Sequence, residues 1–219
     1  IHGAMMSKNL KISLALVAAA VVAVLAVALT GGDDSESNAE PASTNSERVV
    51  RPDSQKLSVA EDGKVTFVEF LDCECEACRA AHPAIEQLRE TYEGKVTFVV
   101  RNMPLHNNSQ RAAQAAEAAA AQGKFEEMYD LLFETQPNWG ESSDSQEEVF
   151  FGLAEQLGLD MDEFEQVYND PATAKRVKRD LADGKALGVE GTPSFFINGD
   201  RVEIASFNDL VAKIDAELG

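Results

Sequence analysis

Two cysteines three positions apart, between an apolar run and a helix-forming run, constrain this 219-residue chain more than any other feature. The run Val65–Leu71 (VTFVEFL) predicts a buried strand, and Cys75-Glu76-Ala77-Cys78 follows at a predicted helix start. Residues three apart share one face of a helix, so the two sulfurs can meet. The first sulfur also faces unpaired N–H groups and the positive end of the helix dipole, which stabilise a thiolate. The pattern predicts a redox pair with Cys75 as exposed nucleophile and Cys78 as the more buried partner.

Composition narrows the classes of function open to the chain. Its formal net charge is −19, whereas nucleic-acid binding requires a basic surface. Three cysteines are too few for a disulfide scaffold, and all three lie between positions 73 and 78, so they indicate a site. Because two cysteines can themselves carry the electrons, we expect no cofactor and no resident metal.

The first 55 residues are predicted to lie outside the folded domain. Residues 1–4 are interpreted as a cloning remnant, and residues 5–30 as a signal-anchor or a cleaved signal peptide. The apolar run at 12–29 would be about 27 Å long as a helix, slightly short for a membrane span, and a buried core helix is the third reading. Residues 31–55 are polar and rich in Gly, Ser and Asp, which is typical of a flexible linker. Export would place the thiols where disulfides persist.

Residues 56–219 show the order of elements of an α/β domain. Strands at 65–71 and 95–101, joined by a helix, form a predicted βαβ unit, and Asn198-Gly199 predicts a hairpin after a long helical block. Together they predict a four-stranded mixed sheet with helices on both faces and a helical insertion at about 107–187. Helix starts are predicted at Ser109, Ser145, Asp160, Asp170 and Ser206, and a loop at 137–143.

The folded part resembles the DsbA-like thiol–disulfide oxidoreductases, a branch of the thioredoxin superfamily. The stretches that carry the resemblance are VEFLDCECEACRAAHP, RNMPLHNNSQRAAQAAEAAAAQGKFEEMYDLLF and EGTPSFFINGD. The resemblance implies the thioredoxin fold, Cys75 and Cys78 as the redox pair, and a cis Pro193 packed beside that pair. It also implies that Thr192 tunes the pair and offers its backbone to an extended substrate. Glu69 would be a buried acid that exchanges a proton with Cys78; the alternative is a purely structural carboxylate with a partner.

The sequence departs from the family pattern at two positions. Glu76 follows the first cysteine where many relatives have proline, and its negative charge opposes the effect of the helix dipole. We therefore expect a depressed pKa for Cys75, but less depressed than in the strongest oxidants. Cys73 stands where the family usually has an apolar or aromatic residue. It is predicted to be either a small buried hydrophobe or a third thiol that exchanges with Cys75.

A second hypothesis, from a non-enzyme class, concerns metal binding. Cys73, Cys75, Cys78 and His82 together could supply the three sulfurs and one nitrogen of a tetrahedral zinc site. A polar role for His82 near the thiols is the alternative, and His106, in a loop after a strand, is interpreted as structural or at the rim. A structural docking domain without redox activity is a third hypothesis.

The favoured prediction is an extracytoplasmic dithiol–disulfide oxidoreductase that forms disulfides in unfolded exported proteins with free thiols. Reoxidation would require a partner, by family analogy a quinone-linked oxidase in the bacterial cell membrane, to which the N-terminal segment would anchor the domain. Isomerase and reductase roles are the closest alternatives, because the direction of electron flow depends on the reduction potential and not on the motif.

Overall fold

A computed structural model describes residues 44–219. Residues 1–4, the signal segment predicted at 5–30, and the linker up to residue 43 lie outside the described residues. The order of elements is α1 Asn45–Val49, β1 Gln55–Ser58, β2 Val65–Leu71, α2 Glu76–Thr91, β3 Val96–Asn102, α3 Ser109–Ala121, α4 Phe125–Trp139, α5 Glu147–Gln156, α6 Met161–Asn169, α7 Pro171–Ala186, β4 Ser194–Ile197, β5 Asp200–Val202 and α8 Phe207–Leu218.

The sheet has five strands in the order β1-β3-β2-β4-β5. Strands β2 and β3 are parallel, as the helical crossover requires, and all other neighbours are antiparallel. The predicted hairpin joins β4 and β5, and its turn residues Asn198 and Gly199 both have positive φ angles, of 51° and 93°. The predicted number of four strands is wrong by one, because β1 adds an edge strand next to β3.

The linker prediction is wrong from residue 44 onward. Thr44 and Glu47 form a capping box that starts α1, and Val49 is buried. The fully buried Arg101 of β3 donates to the carbonyl oxygens of Arg48 and Val49, and so ties α1 to the sheet. The composition of this segment indicated that it could not form a hydrophobic core of its own. It folds because Val49 is buried in the core of the domain that follows it in sequence.

The helical insertion is present between β3 and β4 and consists of α3 to α7. Its alanine-rich α3 packs against the aromatic residues of the neighbouring helices in the largest hydrophobic cluster, which also contains Cys73 and Cys78. The loop predicted at 137–143 starts too early, because α4 continues through Pro137 to Trp139. Pro137 removes one backbone hydrogen bond from α4, and the helix ends two residues later, at Trp139.

The predicted helix caps are confirmed at three positions. The carboxylates of Asp160 and Asp170 accept backbone N–H groups at the starts of α6 and α7, and Ser206 forms a capping box with Asp209. The other two are wrong by one residue: Asn108 precedes α3, and Gln146 precedes α5. Within residues 44–219, no helix is both long and apolar enough to cross a membrane.

Candidate redox site

The backbone places Cys75 at the start of α2. Strand β2 is buried on both faces and ends at Leu71, and the carbonyl of Asp72 accepts the N–H of Cys75 in a tight turn. Cys75 is the N-cap residue of α2, with extended backbone angles, and it has no side-chain oxygen to cap the helix. Its sulfur therefore lies at the end of the helix where the N–H groups are unpaired.

The electrostatics of Cys75 favour the thiolate. Hydrogen bonds from the Cys78 thiol, the Thr192 side chain and the amides of Cys78 and Ala77 outweigh partial burial and lower the pKa of Cys75 from 9.0 to about 5. This is the predicted direction, and the pKa of Cys75 stays above the value of about 3.5 known for the strongest oxidants. At neutral pH the half-buried Cys75 therefore carries a thiolate, which is the nucleophilic form of a cysteine.

The other two cysteines are buried and protonated. Donation to Cys75, followed by burial, raises the pKa of Cys78 well above its usual range. Burial, with the nearby Asp72 and Glu69 carboxylates, does the same for Cys73. All three are free thiols. Cys73 is only 4% exposed and packs in the hydrophobic cluster that the helices of the insertion form. This burial supports its interpretation as a small hydrophobe.

A second chain segment meets Cys75 from the opposite side. The peptide bond between Thr192 and Pro193 is cis. The Cys75 thiol donates to the carbonyl oxygen of Thr192 across 3.4 Å. Strand β4 starts directly after Pro193 and pairs with β2, so that Ser194 lies opposite Phe70. The sheet register itself brings this loop to the cysteine pair.

Glu69 lies in the middle of β2, between Val100 of β3 and Phe195 of β4. It is 3% exposed. Burial, and secondarily the charges of Glu86 and Cys75, raise the pKa of Glu69 from 4.5 to about 8. The same carboxylate contributes to the raised pKa of Cys78. Glu69 can therefore hold or release a proton near neutral pH, and its charge acts on the Cys78 thiol.

Sequence reasoning missed the polar group formed by Asp72 and His106. The buried Asp72 carboxylate accepts the backbone N–H groups of Glu74 and Leu105, and pairs with the His106 ring at 2.7 Å. Burial opposes protonation of His106, but the bond to Asp72 raises the pKa of His106 overall. A carboxylate directly after a buried strand and before the cysteine motif was the available signal.

The sequence also gave no sign of Gln136, a buried side chain on α4. Its amide nitrogen donates to the carbonyl oxygens of Cys73, at 2.6 Å, and Cys75, at 3.1 Å. Its amide oxygen accepts from the Arg79 guanidinium at 3.0 Å. The helical insertion thus contacts the backbone of the cysteine motif directly.

The predicted zinc set does not assemble. Within residues 44–219, three or more potential metal-ligand atoms converge only at His82, Glu86 and Asp130. The His82 ring packs between Tyr129 and Phe133, and its Nε2 atom faces Asp130 at 3.3 Å. The alternative zinc hypothesis therefore finds no support, because the His82 ring contacts side chains of α4.

Comparisons with known proteins place the chain among thioredoxin-type proteins. The thioredoxin family model matches residues 60–216. The thiol-disulfide exchange protein α-DsbA2 from Wolbachia pipientis superposes with a TM-score of 0.65 and 28% identity, over 78% of this chain and 90% of that one. A thioredoxin-like oxidoreductase from Silicibacter pomeroyi DSS-3 superposes with a TM-score of 0.64 and 27% identity, over 78% of this chain and 95% of that one.

The curated proteins with similar sequences carry the name of an ion transporter and not of an oxidoreductase. The Na(+)/H(+) antiporter NhaA of Herminiimonas arsenicoxydans is 37% identical over 153 residues, which are 70% of this chain but only 24% of the antiporter. This chain therefore spans about a quarter of the length of the curated relatives it matches. The matched part lies mainly in the domain that carries the cysteine pair, and the match gives no basis for assigning ion transport to this chain.

Proposed function

Because the chain belongs to the thioredoxin family, matched over residues 60–216, we propose that it is a DsbA-like thiol–disulfide oxidoreductase. The observation that carries the proposal is the pairing of a half-exposed Cys75, whose pKa is about 5, with a buried and protonated Cys78 one helical turn away. A stabilised thiolate in the reduced form makes the disulfide form a stronger oxidant. The preferred direction is disulfide formation in substrate proteins.

The proposed reaction starts from the Cys75–Cys78 disulfide. A substrate thiolate attacks the Cys75 sulfur, the bond between Cys75 and Cys78 breaks, and Cys78 leaves as a thiolate that takes up a proton. A second substrate thiolate then attacks the substrate sulfur of the mixed disulfide, and Cys75 leaves as the stabilised thiolate. The substrate loses two electrons and the cysteine pair gains them, so no cofactor is required.

Three further residues have proposed roles around the pair. Glu69 supplies or accepts the proton of Cys78, because its pKa near 8 lies in the working range. Thr192 tunes the Cys75 sulfur through its side chain and carbonyl, and the cis Pro193 holds the Thr192 backbone beside it. For Glu69→Gln, we expect the pH–rate profile to lose its inflection near pH 8; an unchanged profile would exclude the proton-transfer role.

The proposed setting is extracytoplasmic, with residues 5–30 as a signal-anchor or signal peptide. Substrates would be unfolded exported proteins with free thiols, and a membrane oxidase would restore the disulfide. The hydrophobicity of residues 12–29 supports this part of the proposal. Protease treatment of intact cells tests it, since an extracytoplasmic domain is digested and a cytoplasmic one is protected.

The decisive experiment is equilibration of the cysteine pair with glutathione buffers. A potential near about −120 mV would support the oxidant, and one near about −270 mV a reductase. Oxidation of a reduced, unfolded substrate protein by stoichiometric disulfide-form protein should follow, with Cys75→Ser as the inactive control. Absence of any exchange would reject the oxidoreductase and favour a docking domain.

A further inference from the structure

The helix that carries Cys75 starts without the side-chain cap that helices usually have. Ser, Thr, Asp and Asn stabilise helix starts because their oxygens accept the first N–H groups, whereas Cys75 offers these groups only a sulfur, which is a weaker acceptor. Occupying this position with the nucleophile therefore leaves the first turn with weaker local support than a usual cap provides. A contact from another part of the chain can supply the missing support and keep the sulfur at the N–H groups.

Gln136 supplies a contact of this kind from the helical insertion. Its side-chain nitrogen donates to the Cys75 carbonyl at 3.1 Å, and the N–H of Arg79 donates to the same oxygen at 3.1 Å. The Arg79 guanidinium in turn holds the Gln136 amide oxygen at 3.0 Å. The result is a closed ring of hydrogen bonds that runs from Cys75 to Arg79, to Gln136, and back to Cys75.

The same amide group also fixes the turn in front of the helix. Gln136 Nε2 also donates to the Cys73 carbonyl at 2.6 Å, so that one side chain holds the carbonyl groups of the residues before and after Glu74. Gln136 is only 3% exposed, and a hydrogen bond in a buried, low-dielectric site is stronger than one in water. The charge of Arg79 polarises the Gln136 amide and strengthens its donation to both carbonyls.

We propose that Gln136 is a positioning residue, which holds the Cys75 backbone so that its sulfur stays at the amide groups of the first turn of α2. Gln136 touches neither sulfur and acts only through the carbonyls of residues 73 and 75. The inference rests on the proposed function for its biological meaning, since a well-placed thiolate matters only in thiol–disulfide exchange. Through Gln136, the helical insertion would help to set the reduction potential of the cysteine pair.

The test compares two equally buried glutamines that hold different backbone carbonyl groups. Gln114 on α3 is also 3% exposed and donates to a backbone carbonyl, that of Tyr168, at 2.8 Å, remote in sequence from the cysteine motif. Gln136→Leu and Gln114→Leu therefore remove the same chemical group from equally buried positions. The readouts are the pH dependence of Cys75 alkylation in the reduced protein, and the equilibrium of the pair with glutathione.

For Gln136→Leu, we expect the pKa of Cys75 to rise by about one unit and the glutathione equilibrium to move about tenfold toward the disulfide. Gln114→Leu should change stability but neither readout. A folded Gln136→Leu variant with the alkylation midpoint of the wild type would overturn the inference, as would an equal shift in both variants.

Two further arms keep the result decisive. If Gln136→Leu does not fold, Gln136→Asn replaces it, because the shorter asparagine side chain cannot reach both carbonyls. We then expect a smaller rise in the pKa of Cys75. A folded Gln136→Asn variant with no rise would overturn the inference. The alkylation titration needs no disulfide exchange. A wild-type protein that fails to equilibrate with glutathione would therefore reject the proposed function, while the titration still decides the role of Gln136.

Discussion

The Cys75 thiol and the Thr192 carbonyl oxygen lie 3.4 Å apart and join two segments that are far apart in sequence. The carbonyl can accept a hydrogen bond only from the protonated thiol. The thiolate instead receives bonds from Cys78, Thr192 and the first-turn amides. Loss of the proton therefore exchanges one acceptor for several donors, and the protonation of Cys75 changes how it contacts the loop before β4.

The first prediction concerns the largest of these contributions, the hydrogen bond from Cys78. Cys78→Ser retains a donor at this position, whereas Cys78→Ala removes it. We expect the alkylation midpoint of Cys75 near pH 5 in the reduced wild type and close to that in Cys78→Ser, but at least about one unit higher in Cys78→Ala. Equal midpoints in the two variants would show that the Cys78 thiol does not stabilise the thiolate.

The second prediction concerns the effect of Glu69 on the pH dependence of stability. Its pKa is raised from 4.5 to about 8 by burial, so its contribution to stability is fully present below about pH 4.5 and is lost as pH rises through 8. The disulfide form is used because it contains no Cys75 thiolate. In that form the free energy of unfolding of the wild type should fall by a few kcal/mol between pH 5 and pH 9, and this fall should be absent in Glu69→Gln.

Urea unfolding at pH 5, 7 and 9 measures this difference. Glu76→Gln is the matched control, because it removes a carboxylate from the exposed side of the first turn of α2. In the control, the free energy of unfolding should depend on pH as it does in the wild type. If the pH dependence of Glu69→Gln is also that of the wild type, the buried carboxylate has a partner that holds its charge at all three pH values.

The sequence predicted the geometry around the cysteine pair better than the structure of residues 44–54. The position of Cys75 and Cys78 at a helix start could be predicted because strand, cysteine spacing and helix follow within about twenty residues, so that local geometry alone brings the sulfurs together. The hairpin at Asn198-Gly199 is local in the same sense. Thr192 and Glu69 came from the family resemblance, and the register of β2 with β4 explains why they converge on one place.

The errors share a physical cause, which is dependence on distant partners. The segment from residue 44 to 54 has few apolar residues, but it is held on the domain because the buried Arg101 donates hydrogen bonds to its carbonyl oxygens. The Thr44–Glu47 capping box was the one signal of a helix in its sequence. The role of Gln136 could not be predicted, because it contacts residues 61 and 63 positions earlier in the chain. The contacts of His82 with α4 could not be predicted, because spacing along a helix does not specify which neighbouring element a ring will face.

The third prediction concerns the buried cation of the fold. Arg101 is fully buried and donates to Asp180 at 2.9 Å and to Asp183 at 2.7 Å. Arg101→Met leaves both aspartates buried without this partner, and should destabilise the protein by about 3–5 kcal/mol. Because Arg101 also holds the carbonyl groups of Arg48 and Val49, proteolysis around α1 should become faster than global unfolding allows.

The control for this change is Arg201→Met on β5. Arg201 is exposed, pairs with the exposed Glu203 and donates to the carbonyl oxygen of Gly188, so its removal should change stability by at most about 1 kcal/mol. Denaturant unfolding and limited proteolysis measure both variants. Equal losses for Arg101 and Arg201 would mean that the buried network contributes no more than a surface ion pair.

The last prediction contrasts two helical glycines. At Gly184 on α7, an added Cβ would lie 2.7 Å from the sulfur of Met103 and 3.1 Å from the ring of Phe70, both of which are buried. At Gly152 on α5, it would meet nothing within 4 Å. Gly184→Ala should therefore cost about 1–3 kcal/mol through overpacking, whereas Gly152→Ala should gain about 0.5–1 kcal/mol from helix propensity. Thermal unfolding of the two variants decides, and a gain at Gly184 would show that Met103 can move aside without loss.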